Sequence, residues 1–275
     1  MLATLRSFVS HRDLLLNLTQ RELRTRYRRS MLGWLWAMVN PALTTAVYSF
    51  VFVVIFHLKP APGTPSGNPY FAFFLLAATL PWNLLQSGLN GGIGSVIGGG
   101  ALISRVYFPR QLIPTSAVIS MTVSLFIELG VLVLSQLVFG FNVLKFIPVV
   151  MLLVILQTIF VLGLTLWLSA LNVRYRDVQH LVGVVMLVWF YLTPCLYAVT
   201  FIPERYPFFG KSVPVRDLLM LNPMGRFVDA YRSCLYDGRL PSLATSLFCV
   251  GWSVVAFAGG STYFVRRSRR FAEEI

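Results

Sequence analysis

Residues 30–58, SMLGWLWAMVNPALTTAVYSFVFVVIFHL, decide the fold, because 29 consecutive positions carry no Asp, Glu, Lys or Arg. A helix of about 20 apolar residues already crosses the hydrocarbon core of a bilayer, so this stretch is long enough to span one. Comparable windows recur along the chain and place spans near 31–56, 70–90, 112–138, 147–171, 179–201 and 241–265, the third broken only by Glu128. Gly140, Asn142 and Lys145 separate the third span from the fourth, since one helix from 112 to 171 would be about 90 Å long. The expected fold is an all-α integral membrane protein of six transmembrane helices, one domain over residues 1–275.

Hydrophobic residues make up 56% of the 275 positions and charged residues 12%, about half the charge of a soluble domain. A six-span bundle leaves no room for a soluble catalytic domain of ordinary size, so any soluble engine comes from another polypeptide. The net charge of +13 would suggest nucleic acid in a soluble protein. Here 15 of the 23 basic residues lie before residue 30, in the 91–111 and 172–180 connections, and after residue 265. Lys and Arg gather in cytoplasmic connections, which places both termini in the cytoplasm and makes residues 202–240 external. The charge is therefore a topology signal and no nucleic-acid partner is expected. No secretory signal peptide is expected either, because Arg21 to Arg29 follow the short run at Leu14 to Leu16 without a small-residue cleavage site.

Four connections carry further information. In residues 1–30, the polar side chains of Asn17, Gln20, Arg21, Arg24 and Arg28 fall on one arc of a 3.6-residue helix, with Leu14, Leu15, Leu18 and Leu23 off it. This predicts an amphipathic helix on the inner membrane surface, its arginines toward lipid phosphates or a protein partner. Residues 59–69, KPAPGTPSGNP, read as an outer linker of variable shape. Seven glycines between Gly88 and Gly100 indicate either close helix contact or a hinge. The 202–240 segment is too apolar for a free loop and too broken by proline for a span. Short helices at about 215–221 and 224–236, divided at Asn222-Pro223, would dip into the outer leaflet as re-entrant pieces, which need cover for their backbone.

Catalytic chemistry is poorly supplied. His11, His57 and His180 are scattered over both predicted sides, no Asp lies in any span, and no DxD pair occurs, so acid/base and metal-assisted catalysis lack their parts. No catalytic residue and no metal site is assigned. Cys195, Cys234 and Cys249 lack CxxC spacing and read as packing residues. Gly210-Lys211-Ser212 resembles the end of a phosphate loop but lacks the required glycine at Arg205. Glu128 is costly in lipid and reads as a protonated carboxyl bonding a neighbouring helix. Interfacial belts account for aromatics near span ends, while deeper ones such as Tyr48 and Tyr191 offer stacking faces and hydroxyls suited to sugar rings; Trp34, Tyr48, Tyr191 and Tyr197 are the channel aromatics expected.

Two stretches carry a family resemblance. Residues 21–56 and 70–120 hold, in order, the basic helix, Leu-Gly-x-Leu-Trp, Asn-Pro, Leu-Pro-Trp-Asn and Val-Tyr-Phe-Pro-Arg. The order resembles that in permease subunits of ATP-binding-cassette type-2 exporters of polysaccharides and polyol phosphates. The resemblance implies a channel made by a homodimer, with two copies of a separate ATP-binding-cassette subunit that binds ATP and Mg; this chain itself carries no cofactor. It implies a coupling helix at about 101–110, with Ser104, Arg105, Tyr107, Phe108 and Arg110 seated on that ATPase. It also implies an outer gate at Asn222, Pro223, Arg226, Asp229 and Arg232. The cargo implied is a polyprenyl-pyrophosphate-linked glycan, whose phosphates, like those of membrane lipids, suit Arg26, Arg28 and Arg29. The implied location is the bacterial inner membrane. O-antigen, capsule, teichoic acid and galactan all remain open as polymers. The rivals are a permease of the same fold for a drug or lipid, and a membrane enzyme acting on polyprenyl-linked sugars.

Overall fold

The computed structural model describes residues 8, 10–27, 33–57, 61–100, 108–208, 211–268 and 271. A helix, α1 (Arg12–Tyr27), precedes a 3₁₀ turn at Gly33–Leu35 and the first apolar helix, α2 (Trp36–Ser49), which continues as π-helix through Phe50–Ile55. Next come α3 (Phe71–Ile93), the single turn α4 (Ser95–Gly98), α5 (Leu112–Val138) and α6 (Ile147–Arg174). Helix α7 (Val178–Leu192) is shorter, and α10 (Leu243–Ser268) closes the bundle. Between them lie α8 (Val215–Met220) and α9 (Pro223–Arg232), the latter prolonged as π-helix over Ser233–Asp237. Five of these helices are long and apolar enough to cross a membrane.

Helix α3 is the centre. Most of its side chains are buried, and it packs against α2, α5, α6, α7 and α9. Its glycines decide one question that the sequence leaves open. A Cβ at Gly88 would strike Val161 of α6, and one at Gly92, four residues on, would strike Thr165. Small residues at this spacing let two membrane helices approach backbone to backbone, so this half of the glycine stretch is a contact surface. The break comes at Gly94, where α3 ends and α4 begins. The α6–α10 pair is closer still, because a Cβ on Gly260 would collide with the Gly163 carbonyl and one on Gly163 with Ala256. Ser253 of α10 adds a 2.8 Å hydrogen bond to the Leu156 carbonyl.

Buried amides repair the backbone where helices are irregular. Gln157 Nε2 donates to the Pro81 carbonyl within α3 at 2.6 Å, Gln136 Nε2 to the Leu235 carbonyl in the π-helical turn at 2.6 Å, and Asn172 Nδ2 to the Ile93 carbonyl at the end of α3 at 3.3 Å. In hydrocarbon an unmatched backbone group costs several kcal/mol, so the second and third of these amides support the π-turn and the helix end, while Gln157 ties α6 to α3.

Three expectations change. The span predicted at 179–201 stops at Leu192, because Thr193 is extended ahead of Pro194, as residues before proline tend to be. At 15 residues, α7 is about 22 Å long, short of the roughly 30 Å hydrocarbon core. The 59–69 linker has a fixed path over its described part. Ser66 donates from Oγ to the Tyr236 carbonyl at 2.5 Å and from N to the Asp237 carbonyl at 2.8 Å, so carbonyls left over at the end of the π-turn hold it. Finally, residues 206–213 include a small antiparallel ribbon, β1 (Tyr206–Phe208) with β2 (Lys211–Val213), pairing Tyr206 with Val213.

Gly163→Ala and Gly260→Ala are each expected to lower stability by about 1–3 kcal/mol through overpacking. Gly259→Ala, which faces open space, should be neutral or slightly stabilising. Thermal unfolding of the detergent-solubilised protein separates the two outcomes.

Candidate functional site

The residues predicted to act fall into three places. At one end, Arg232 has 7% relative exposure, with no carboxylate in ion-pair range among the described residues. Its guanidinium serves the backbone instead. Nη1 donates to the Pro194 carbonyl at 2.5 Å and the Tyr197 carbonyl at 3.4 Å, Nη2 to Cys195 at 2.6 Å, and Nε to Phe74 of α3 at 3.3 Å. The plane also lies 3.6 Å from the Phe74 ring centroid. Arginine suits this position because its fork carries five donors in fixed directions. Three of the carbonyls it holds lie just beyond the end of α7 at Leu192.

Asn222 completes the joint. Its Oδ1 accepts from Met224 N at 3.0 Å, capping α9, and from Trp189 Nε1 of α7 at 2.7 Å, while Nδ2 donates to Thr193 Oγ1 at 2.8 Å. Pro223 follows as the first residue of α9, where its missing N–H is harmless. Arg226 caps the Met220 carbonyl at 2.9 Å and lies over the Phe248 ring of α10, and Asp229 accepts from Thr245 Oγ1 at 3.2 Å. The five residues assigned to an outer gate thus form one packed joint between α7, α9 and α10. Beside it lies a cavity of about 560 Å³ that Asp229, Asp237 and Arg239 also line. Burial holds the Asp237 carboxyl above the usual carboxylate range, against the 3.0 Å hydrogen bond from Arg239.

Two helices remain thinly covered. Along α2, Leu43, Val47 and Phe50 are exposed, and along α7 so are Leu181, Val184, Val188 and Tyr191. Tyr197 Oη donates to the Tyr191 carbonyl at 2.9 Å, and Tyr48 lies close enough to Tyr191 for electrostatic interaction. Three of the four predicted aromatics therefore lie in the same part of the bundle. The Trp34 side chain lies outside the described residues, as do Arg28, Arg29, Ser104, Arg105 and Tyr107. Arg110 donates to the Ser268 carbonyl, tying the end of the predicted coupling segment to the end of α10, and Phe108 is half-buried.

Helix α1 exposes Asn17, Gln20, Arg21 and Arg24 and packs its other side on α5. Arg26, also exposed, donates to Met121 Sδ of α5 and lines the third place, a groove of about 550 Å³. There α3 contributes Asn83, Gln86, Ser87 and Asn90. Across from it stand Trp36 and Asn40 of α2, and Glu128 of α5. Glu128 makes no hydrogen bond to a neighbouring helix among the described residues, unlike the sequence expectation. A reading based on charges misses this groove because amides are uncharged. Its signal is the spacing 83, 86, 87, 90, one polar stripe down a helix.

Helices of this length and composition define an α-helical membrane protein. Residues 13–236 match the ABC-2 type transporter family, and the chain belongs to it. The chain is 33% identical, over its full length and that of the relative, to the O-antigen export system permease protein RfbA of Myxococcus xanthus. Two RfbA permeases of Klebsiella pneumoniae are 28% and 27% identical, each over 95% of this chain and 94% of the relative. The protein is thus a multi-pass membrane permease subunit, which in bacteria resides in the inner membrane, and its family implies an ATP-binding partner.

Arg232→Met is expected to cost at least about 3 kcal/mol, since it leaves several buried carbonyls unpaired, and Arg232→Lys should not restore it. Asn222→Ala should cost about 1 kcal/mol as a lost cap, plus the pairing of Trp189. Denaturation followed by tryptophan fluorescence measures both.

Proposed function

We propose that two copies of this chain form the conduit of a polysaccharide exporter driven by two copies of a separate ATPase. The observation that carries the reading is the thin cover on α2 and α7, whose exposed apolar rows flank the Tyr48–Tyr191–Tyr197 cluster. Two helices that leave so much surface to be filled suit a channel assembled from two protomers, and the tyrosines then offer sugar rings both stacking faces and hydroxyls. The polysaccharide cargo is supported by the full-length similarity to O-antigen permeases. A polyprenyl-pyrophosphate anchor fits the basic row at Arg21, Arg24 and Arg26.

In this reading the arginine-rich end, with both termini, faces the cytoplasm, in keeping with the bias of Lys and Arg toward that side. ATP and Mg stay on the partner, whose closure pushes on residues 101–110. Arg110, bonded to Ser268, passes that displacement to α10. The joint at Arg232 and Asn222 then forms the external gate. A long polymer is fed stepwise, because no single occluded state encloses it.

Purification from native membranes is expected to recover a stoichiometric ATP-binding-cassette subunit, with ATP hydrolysis lost on Tyr107→Ala or Arg105→Glu. Cells lacking the chain should lose a surface glycan and retain it inside. ATPase stimulation by small amphiphiles with an unchanged surface glycan would instead indicate drug or lipid export.

A further inference from the structure

The groove between α1, α2, α3 and α5 has no role in the joint or in the tyrosine cluster. It runs from Arg26, at the end of α1, to Glu128, mid-way along α5. Polar side chains at membrane depth are expensive and normally pair with one another across helices. Here the side chains of Asn40, Asn83, Gln86, Ser87 and Asn90 make no hydrogen bond to any described residue. Gln157, Gln136 and Asn172 show how this bundle uses an amide for structure, by aiming it at a carbonyl. The groove amides point into open space instead, along one stripe of α3.

We infer that this groove is a saccharide-binding site, one in each protomer, which holds an uncharged sugar unit in the cytoplasmic half of the membrane. The inference rests on the export reading above and adds a contact point outside the tyrosine-lined conduit. Three features select the ligand class. The described lining carries a single guanidinium, whereas a pyrophosphate would need several cations. Amide and hydroxyl side chains predominate where an acyl chain would need apolar walls. Each amide both donates and accepts, as each sugar hydroxyl does, and Trp36, 48% exposed, gives a ring face beside them. A groove of about 550 Å³ lies within the range of small-ligand clefts. Arg26, bonded to Met121, sits at the mouth, where the sugar adjoining a phosphate would enter.

The test uses the full chain with its ATPase in native cells, with the photo-cross-linker p-benzoylphenylalanine placed at the positions of Gln86, Asn90, Tyr191 or Val255. Val255 is an exposed residue on the outside of α10. Adducts are stained for periodate-oxidisable glycan and identified by mass spectrometry. Glycan adducts are expected at 86, 90 and 191 and not at 255. Glu128→Leu or Asn83→Leu should abolish the adduct at 90 and leave that at 191, whereas Glu128→Gln keeps both. Glycan at 191 with only phospholipid, or nothing, at 86 and 90 overturns the groove and leaves export standing. An adduct at 90 unchanged by Asn83→Leu and Glu128→Leu also overturns it. No glycan at any position removes the export reading and the groove with it.

Discussion

A helix cannot break inside a bilayer unless something replaces the backbone hydrogen bonds it gives up, and Arg232 is that replacement. The break at Thr193-Pro194 leaves carbonyls at Pro194, Cys195 and Tyr197 without helical donors, and one guanidinium bonds all three while also reaching Phe74 of the central helix. Because Arg232 ends α9, the same contacts hold α9 against the break. Asn222 fixes the other end of α9 to Trp189 and Thr193. The short helix α7 and helix α9 are thus one device, since each supplies what the other lacks.

The rest of the bundle follows a rule of close approach. Water does not drive two helices together within lipid, so association depends on packing and on hydrogen bonds across the contact. Glycines on facing surfaces bring α3 and α10 against α6, while Thr122 and Thr158 hydroxyls, 3.1 Å apart, join α5 to α6. This rigid centre contrasts with α2 and α7, each touching it along a single line: Pro41 and Thr45 on one, Val182 and Met186 on the other. These two helices carry Tyr48 and Tyr191 of the proposed conduit. Arg110 bonds the end of α10 at Ser268, and α10 packs along α6.

The sequence by itself determined that the protein is a helical membrane protein, where its long helices run, and the family to which it belongs. The absence of charge over 20 or more residues admits one solution in a bilayer, and the ordered motifs around the first two spans are specific. It also placed the division at Asn222-Pro223, where a capping residue and a proline at the first helical position each have one reading. What only the tertiary structure decided is which polar groups find partners. Arg232 is expected from the family resemblance as an outer-gate residue beside Asp229, and the fold makes it a buried donor to carbonyls more than 30 positions away. Glu128 reads as a hydrogen-bonding carboxyl and instead faces a groove with Asn83, Gln86 and Asn90. The glycine stretch offered contact and hinge equally until α6 was seen to lie against Gly88 and Gly92. Hydropathy depends on local composition and periodicity, whereas the satisfaction of a polar group depends on which distant backbone the fold carries to it.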